Sequence, residues 1–337
     1  PDFALPVGMA DVALNVSPEF YDSFDIPTLT RTQSDFRAIV PNTERPFFQD
    51  AQVRQALYYA LDRAGYLADR NPYAAKADVY LPPGHPMYNS ALTLYDFDLT
   101  TAAGLLDAAG WVDSNSNGIR DKDGVEFTFD LVYPGGDGNR QALCLMWQAD
   151  LATLGIDANV IPMDWGELID AGRRGELDAY TMGWGFDNRF DPMAYSLYHS
   201  SQIPSAYNSY WGGNPNNRWP DPDPAKTDAW LLAARTELDA DALRGYYADH
   251  LARFTDQLPS WVYEHNTRTD AYTAILVNFG PGQATPVTWN VEEWDLLDNP
   301  YDLAVRKTLA AGSPAPQPGE TIVYEIQVHN AGDLAVT

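Results

Sequence analysis

Cysteine is nearly absent from the 337 residues: Cys144 is the single one. That excludes an internal disulfide and any cysteine-built zinc cluster. Its surroundings, QALCLMWQADL, read as the apolar face of a helix, so a buried structural thiol is expected. Basic residues are also scarce, with 21 Lys and Arg against 47 Asp and Glu, a formal net charge of −26. Such a surface repels phosphate backbones and anionic headgroups, so nucleic acid is not an expected partner. The simplest account of the excess acid is charge hydration and solubility. No apolar run approaches the ~18 residues that span a bilayer as a helix. No HExxH, GxSxG or P-loop occurs, and His85, His199, His250, His265 and His329 are scattered without ligand spacing. The chain is therefore expected not to be an enzyme and to need no cofactor.

What remains is ordinary for a globular protein. Hydrophobic residues make up 45% and charged residues 20%, and the length allows about two domains. FRAIVPN reads as a strand. DAQVRQALYYALDRAGYL, residues 50–67, reads as one helix capped by Asp50, with Val53, Ala56, Leu57, Ala60 and Leu61 at helical spacing. A second helix is expected at 100–109, with Thr100 or Thr101 as its cap. Strand 125–133, helix 139–154, strand 156–163, helix 166–174 and strand 178–184 form a β-α-β-α-β series, the mark of an α/β sheet domain. Residues 197–224 are loop, followed by helices at 225–238 and 240–256. AAGSPAPQPGE is a linker, and TIVYEIQVHNAGDLAVT alternates as a β-sandwich strand would. The chain starts at Pro1 without a Met and stops in what reads as a strand, so it is expected to be a piece of a longer protein.

Several segments together resemble one family. They are RPFFQDAQVRQALYYALDR at 45–63, LYDFDLTTAAGLLDAAGW at 94–111, DSNSNGIRDKDG at 113–124 and LATLGIDANVIPMDW at 151–165. GELDAYTMGWGFDNRFDP at 175–192 and TWNVEEWDL at 288–296 complete the set. In this order and spacing they resemble the family 5 extracellular solute-binding proteins, the oligopeptide, dipeptide and nickel receptors of ABC importers. The resemblance covers about residues 1–300. It implies a Venus-flytrap fold of the periplasmic-binding-protein type II class. Residues 45–265 would be its second lobe, 1–44 a remnant of the first lobe and hinge, and 266–302 the return to the first lobe. Residues 303–318 would be a linker and 319–337 a truncated domain. That tail, with K-T followed by PGETIVY and an NAGD turn, resembles the opening of Ig-like repeats of prokaryotic cell-surface proteins. The implied function is capture of a peptide or similar small solute, as a monomer, for an ABC permease. The implied location is extracytoplasmic, in the periplasm or on the outer cell surface, tethered to the envelope.

In peptide-binding members a carboxylate in the WGFDNRFDP loop pairs with the ligand's terminal ammonium. The matching position is Asp187, with Trp184 walling the pocket and Asn188 beside it. The spacing departs from the family pattern, since Asn188, Arg189 and Phe190 separate Asp187 from Asp191 and Pro192. Asp187 also reads as a turn cap, and Asp191 as the cap of a helix starting at Pro192. Tyr207, Asn208, Tyr210 and Trp211 form a second candidate group, since aromatics with amide donors suit stacking and backbone hydrogen bonds. DSNSNGIRDKDG resembles a calcium loop, with Asp113, Asn115 and Asn117 at positions 1, 3 and 5, Gly118 at 6 and Asp121 at 9. Gly124 stands where a bidentate Glu belongs, so the alternative is an Asx-rich turn. A glycan-binding or glycan-hydrolysing protein is the competing function, suggested by aromatic loops and paired acids such as Asp221 with Asp223 or Glu292 with Glu293.

Overall fold

The computed structural model describes residues 12–16, 26–185, 194–202, 223–274, 276–280, 293–296, 303–309 and 324–330. Among these the first strands are β1 (Val12–Ala13), β2 (Thr28–Thr32), β3 (Asp35–Pro41), β4 (Ala75–Lys76), β5 (Asp121–Lys122) and β6 (Val125–Glu126). There follow β7 (Thr128–Pro134), β8 (Asp157–Met163), β9 (Ala179–Gly185), β10 (Trp261–His265) and β11 (Thr267–Tyr272). The last are β12 (Leu276–Val277), β13 (Asp295–Leu296), β14 (Leu303–Leu309) and β15 (Tyr324–Asn330). The helices are α1 (Ala51–Tyr59), α2 (Arg63–Arg70), α3 (Leu99–Ala108), α4 (Gly138–Thr153), α5 (Trp165–Arg174), α6 (Ala194–Tyr198), α7 (Pro224–Ala234) and α8 (Ala240–Gln257). The chain divides into two compact units. One is Thr32–Thr267, and the other combines Pro1–Arg31 with Arg268–Thr337.

The larger unit is a mixed α/β sheet covered on both faces, the class read from the sequence. Its six strands run in the order β4-β10-β3-β9-β7-β8. β7 is parallel to both β8 and β9, while β3 is antiparallel to β9 and β10. Side chains alternate across the pleat, so each strand serves two cores. Ile39, Leu131 and Trp261 point to one face, where they are buried with Leu57 of α1, Leu106 of α3 and Trp147 of α4. Phe36, Ala38 and Val262 point to the other, against Leu197 of α6 and Leu251 and Phe254 of α8. Val40, Val132 and Tyr180 share that second face with Leu168 and Ala171 of α5. The boundary read at residue 45 falls inside this unit, because β3 hydrogen-bonds between β9 and β10.

Part of the aspartate excess has a local task. Asp50, Asp62, Asp98, Asp137, Asp164, Asp223 and Asp239 each cap a helix by accepting a backbone N–H of its first turn. A carboxylate there satisfies an orphan donor and meets the positive end of the helix dipole. Two sequence readings change for this reason. The single helix expected over 50–67 is two, because Asp62 breaks the run and caps α2 through Gly65 N at 2.8 Å. The cap of α3 is Asp98 rather than a threonine; Thr100 and Thr101 donate their N–H groups to it at 2.9 and 3.0 Å. α5 ends on Gly175, whose φ of 69° is a left-handed conformation that glycine adopts without penalty.

In the smaller unit β11 lies between β1 and β2. Asp270, fully buried, accepts from Arg31 Nη2 and Arg268 Nε, each at 2.9 Å. β14 pairs with β15 in antiparallel register from Leu303↔Asn330 to Leu309↔Tyr324. The linker expected over 303–318 therefore begins with a strand: LAVRKTL alternates, and its partner lies downstream.

Candidate functional site

In open α/β sheets ligands bind beyond the carboxyl ends of the strands. Here that rim is formed by the ends of β7, β8 and β9, together with the start of antiparallel β3 and the end of β10. Gly135, just past β7, donates N–H to Met163 O at 2.8 Å and ties the first two loops together. Asp164 then caps α5 through Gly166 N at 2.9 Å, and Trp165, the first residue of that helix, is 46% exposed.

Trp184 is the next-to-last residue of β9. Its ring stacks on Phe36 at 5.4 Å and 28°, and it packs on both apolar clusters of that face. It stays half-buried at the end of β9. Asp187 and Asn188 follow directly and lie outside the described residues, as do Asp191, Tyr207, Asn208, Tyr210 and Trp211.

Sequence reasoning did not single out the charged groups on the face of β3 opposite Trp184. Asp35 faces Gly185 across the β3–β9 pair, and Arg37 faces Gly183. Asp35 accepts both N–H groups of Asn266, at 3.0 Å from the backbone and 2.5 Å from Nδ2. Between Val262 and Glu264 the β10–β3 register shifts, and Glu264 comes to pair with Arg37. Such a shift re-aims a side chain. Glu264 is 5% exposed and accepts Asn71 Nδ2 at 3.1 Å. Burial raises its carboxyl pKa above the ordinary value, and the Asn71 hydrogen bond only partly opposes this. Tyr66 meets Tyr263 edge-on at 5.9 Å, and burial raises both phenols. Neither hydroxyl, nor the buried Arg140 Nε, has a hydrogen-bond partner among the described residues. Arg140 Nη1 sits 3.2 Å from Asp137 at the start of α4. The signal that could have found this group is the lone charge in FRAIVPN and in WVYEH, each inside an otherwise apolar strand.

The 113–124 loop closes on itself. Asp113 accepts Asn117 N and Gly118 N at 3.1 and 3.0 Å, and Asn115 Oδ1 accepts Asn117 N at 2.9 Å. Asp121 accepts Ser114 N and Oγ at 2.9 and 2.7 Å. These are Asx turns joining α3 to the sheet. Of the paired acids, Asp223 caps α7 and Glu293 is exposed, while Asp221 and Glu292 lie outside the described residues. Cys144 is fully buried, and burial pushes its thiol up to about 12.

Residues 4–206 match the family described as bacterial extracellular solute-binding proteins, family 5, and the chain belongs to it. This is a family of binding proteins found outside the cytoplasm. The oligopeptide-binding protein AppA of Bacillus subtilis is 30% identical over 179 residues, 51% of this chain and 32% of that protein. Di/tripeptide-binding protein 3 of Pseudomonas aeruginosa is 30% identical over 232 residues, 67% of this chain and 39% of that protein. The chain thus spans about a third of the length of these curated relatives. The solved structure of Bacillus subtilis AppA with a nonapeptide superposes with a TM-score of 0.66 at 24% identity, covering 88% of this chain and 57% of that one. That likeness shows the fold, a periplasmic-binding-protein type II architecture.

Proposed function

We propose that this chain belongs to the extracytoplasmic receptor of an ABC importer and binds peptides at the carboxyl-end rim of the six-stranded sheet. The observation that carries the reading is Trp184. It is fixed by Phe36 at the end of β9, half-open, immediately before the segment with Asp187 and Asn188. An aromatic wall next to a carboxylate suits a peptide's amino end, by apolar contact and a charge-assisted hydrogen bond. The named relatives, oligopeptide- and di/tripeptide-binding proteins, support this class of ligand. The receptor acts by binding, without catalysis, as a monomer that hands its solute to the permease. Tyr207, Asn208 and Trp211 would add stacking and amide contacts. The β14–β15 segment would open an Ig-like repeat that spaces the receptor from an envelope anchor. Calcium in the 113–124 loop belongs to the same proposal, since each Asp113 oxygen that accepts one N–H retains a lone pair.

The test is native mass spectrometry of the receptor expressed from its complete reading frame, with Asp187→Ala and Trp184→Ala beside it. The expected result is a bound peptide mass that both variants lose. An oligosaccharide or metal-chelate mass that persists in Asp187→Ala would overturn the peptide reading.

A further inference from the structure

Three buried polar atoms of the larger unit lack a hydrogen-bond partner among the described residues and belong to one neighbourhood. They are the hydroxyls of Tyr66 and Tyr263 and Nε of Arg140. Tyr66 of α2 is 1% exposed and Tyr263 of β10 is fully buried. Their rings meet edge-on at 5.9 Å. The Arg140 charge, on the first turn of α4, acts on both phenols and on the Glu264 carboxyl. Cys144, one turn further along α4, acts on both phenols too.

The register shift in β10 builds this neighbourhood. In a regular strand consecutive side chains point to opposite faces, and an extra residue lifts that rule. Tyr263 packs against Tyr66, and the next residue, Glu264, accepts a hydrogen bond from Asn71 at the end of α2. Both therefore face α2. The Asn71 bond, at 3.1 Å, reaches only Oε2 of Glu264. Oε1 can accept a further donor. A buried N–H or hydroxyl without a partner costs the full desolvation of that group.

The donor set decides what fits. A guanidinium beside the site repels a metal ion. The carboxylates of Glu264 and of Asp137, 3.2 Å from Arg140 Nη1, repel a free anion. Water accepts from an N–H and donates to a carboxylate, and buried waters typically make about three such bonds. We propose that an internal water is held here, bonded to Arg140 Nε, to the hydroxyls of Tyr66 and Tyr263 and to Oε1 of Glu264. It cross-links α2, α4 and β10, and it lets the register shift persist without stranded donors.

The test is a crystal structure of the complete receptor at a resolution that places waters, together with urea unfolding of Tyr66→Phe, Tyr263→Phe and the double variant. The expected result is a density peak within about 2.6–3.2 Å of Arg140 Nε and of at least two of the three oxygens. Each single variant lowers the unfolding midpoint, and the two losses are not additive, because both hydroxyls bind the same water. A hydroxyl that is truly unpaired gives the opposite sign, since phenylalanine then removes a buried polar group and the midpoint rises. Midpoints that hold or rise therefore overturn the proposal. Direct contact of the hydroxyls with Glu264, without a peak between them, overturns it as well. So does a peak that bromide replaces in a soaked crystal, which would be an anion. The wild-type density decides alone where a variant fails to fold.

Discussion

His250 gives the larger unit an acid sensitivity that can be worked out in advance. It sits on α8, fully buried, with Nδ1 2.9 Å from the Tyr80 hydroxyl and its ring 5.8 Å from that of Tyr198. Burial lowers its pKa to about 3, against about 6.5 in an unfolded chain. Between these values the unfolded chain binds a proton that the native state refuses. Stability therefore falls as the pH drops below about 6.5, and the loss saturates near the native pKa. At pH 5 the group has passed about 1.5 units into this window, a loss of about 2 kcal/mol. For a unit of this size that is about 4–8 °C in Tm. His250→Gln can keep a hydrogen bond to Tyr80 and cannot titrate. Urea unfolding of both proteins at pH 7.5 and 5.0 isolates the histidine, because His265 and the carboxylates contribute to both curves. The wild type should lose about 2 kcal/mol more than the variant across that interval. Parallel losses would refute the account, since a histidine that charges freely cannot be held neutral by its surroundings.

Other consequences can be read the same way. Arg63 is 2% exposed and donates to the Tyr58 hydroxyl at 2.7 Å, to Asp78 at 2.8 Å and to Tyr95 O; Arg63→Met strands these acceptors and should cost about 3–5 kcal/mol in chemical denaturation. Asp98→Ala removes the cap of α3 and should lower the denaturation midpoint in the same assay. Cys144 should react with a thiol reagent only at the rate of unfolding, because its thiol is buried and pushed up to about 12. If calcium binds the 113–124 loop, replacing EGTA with millimolar calcium raises Tm by RT ln(1 + [L]/Kd) converted at the unit's unfolding entropy, and Asp113→Ala abolishes the rise.

The amino-acid pattern by itself determined the alternating strands and helices from Thr128 to Gly185. Each strand buries two faces or one, each helix buries a stripe, and both leave a period in the chain that needs no knowledge of the partner. Membership of the family was legible for a related reason: GWGFDNRFDP and RPFFQDAQVRQAL are local strings whose order survives without coordinates. Boundaries were less legible where a short polar residue competes with the helix backbone, as Asp62 and Asp98 do. The pairing of Leu303–Leu309 with Tyr324–Asn330 and the place of β3 between β9 and β10 were hidden because sheet neighbours are chosen by contacts distant in sequence. The same holds for the rim. Nothing near FRAIVPN in the chain announces Gly183, nearly 150 residues on, and nothing near Glu264 announces Asn71. Only the tertiary structure set Arg37 over a residue without a side chain, because a charge's surroundings belong to the fold rather than to its sequence neighbours.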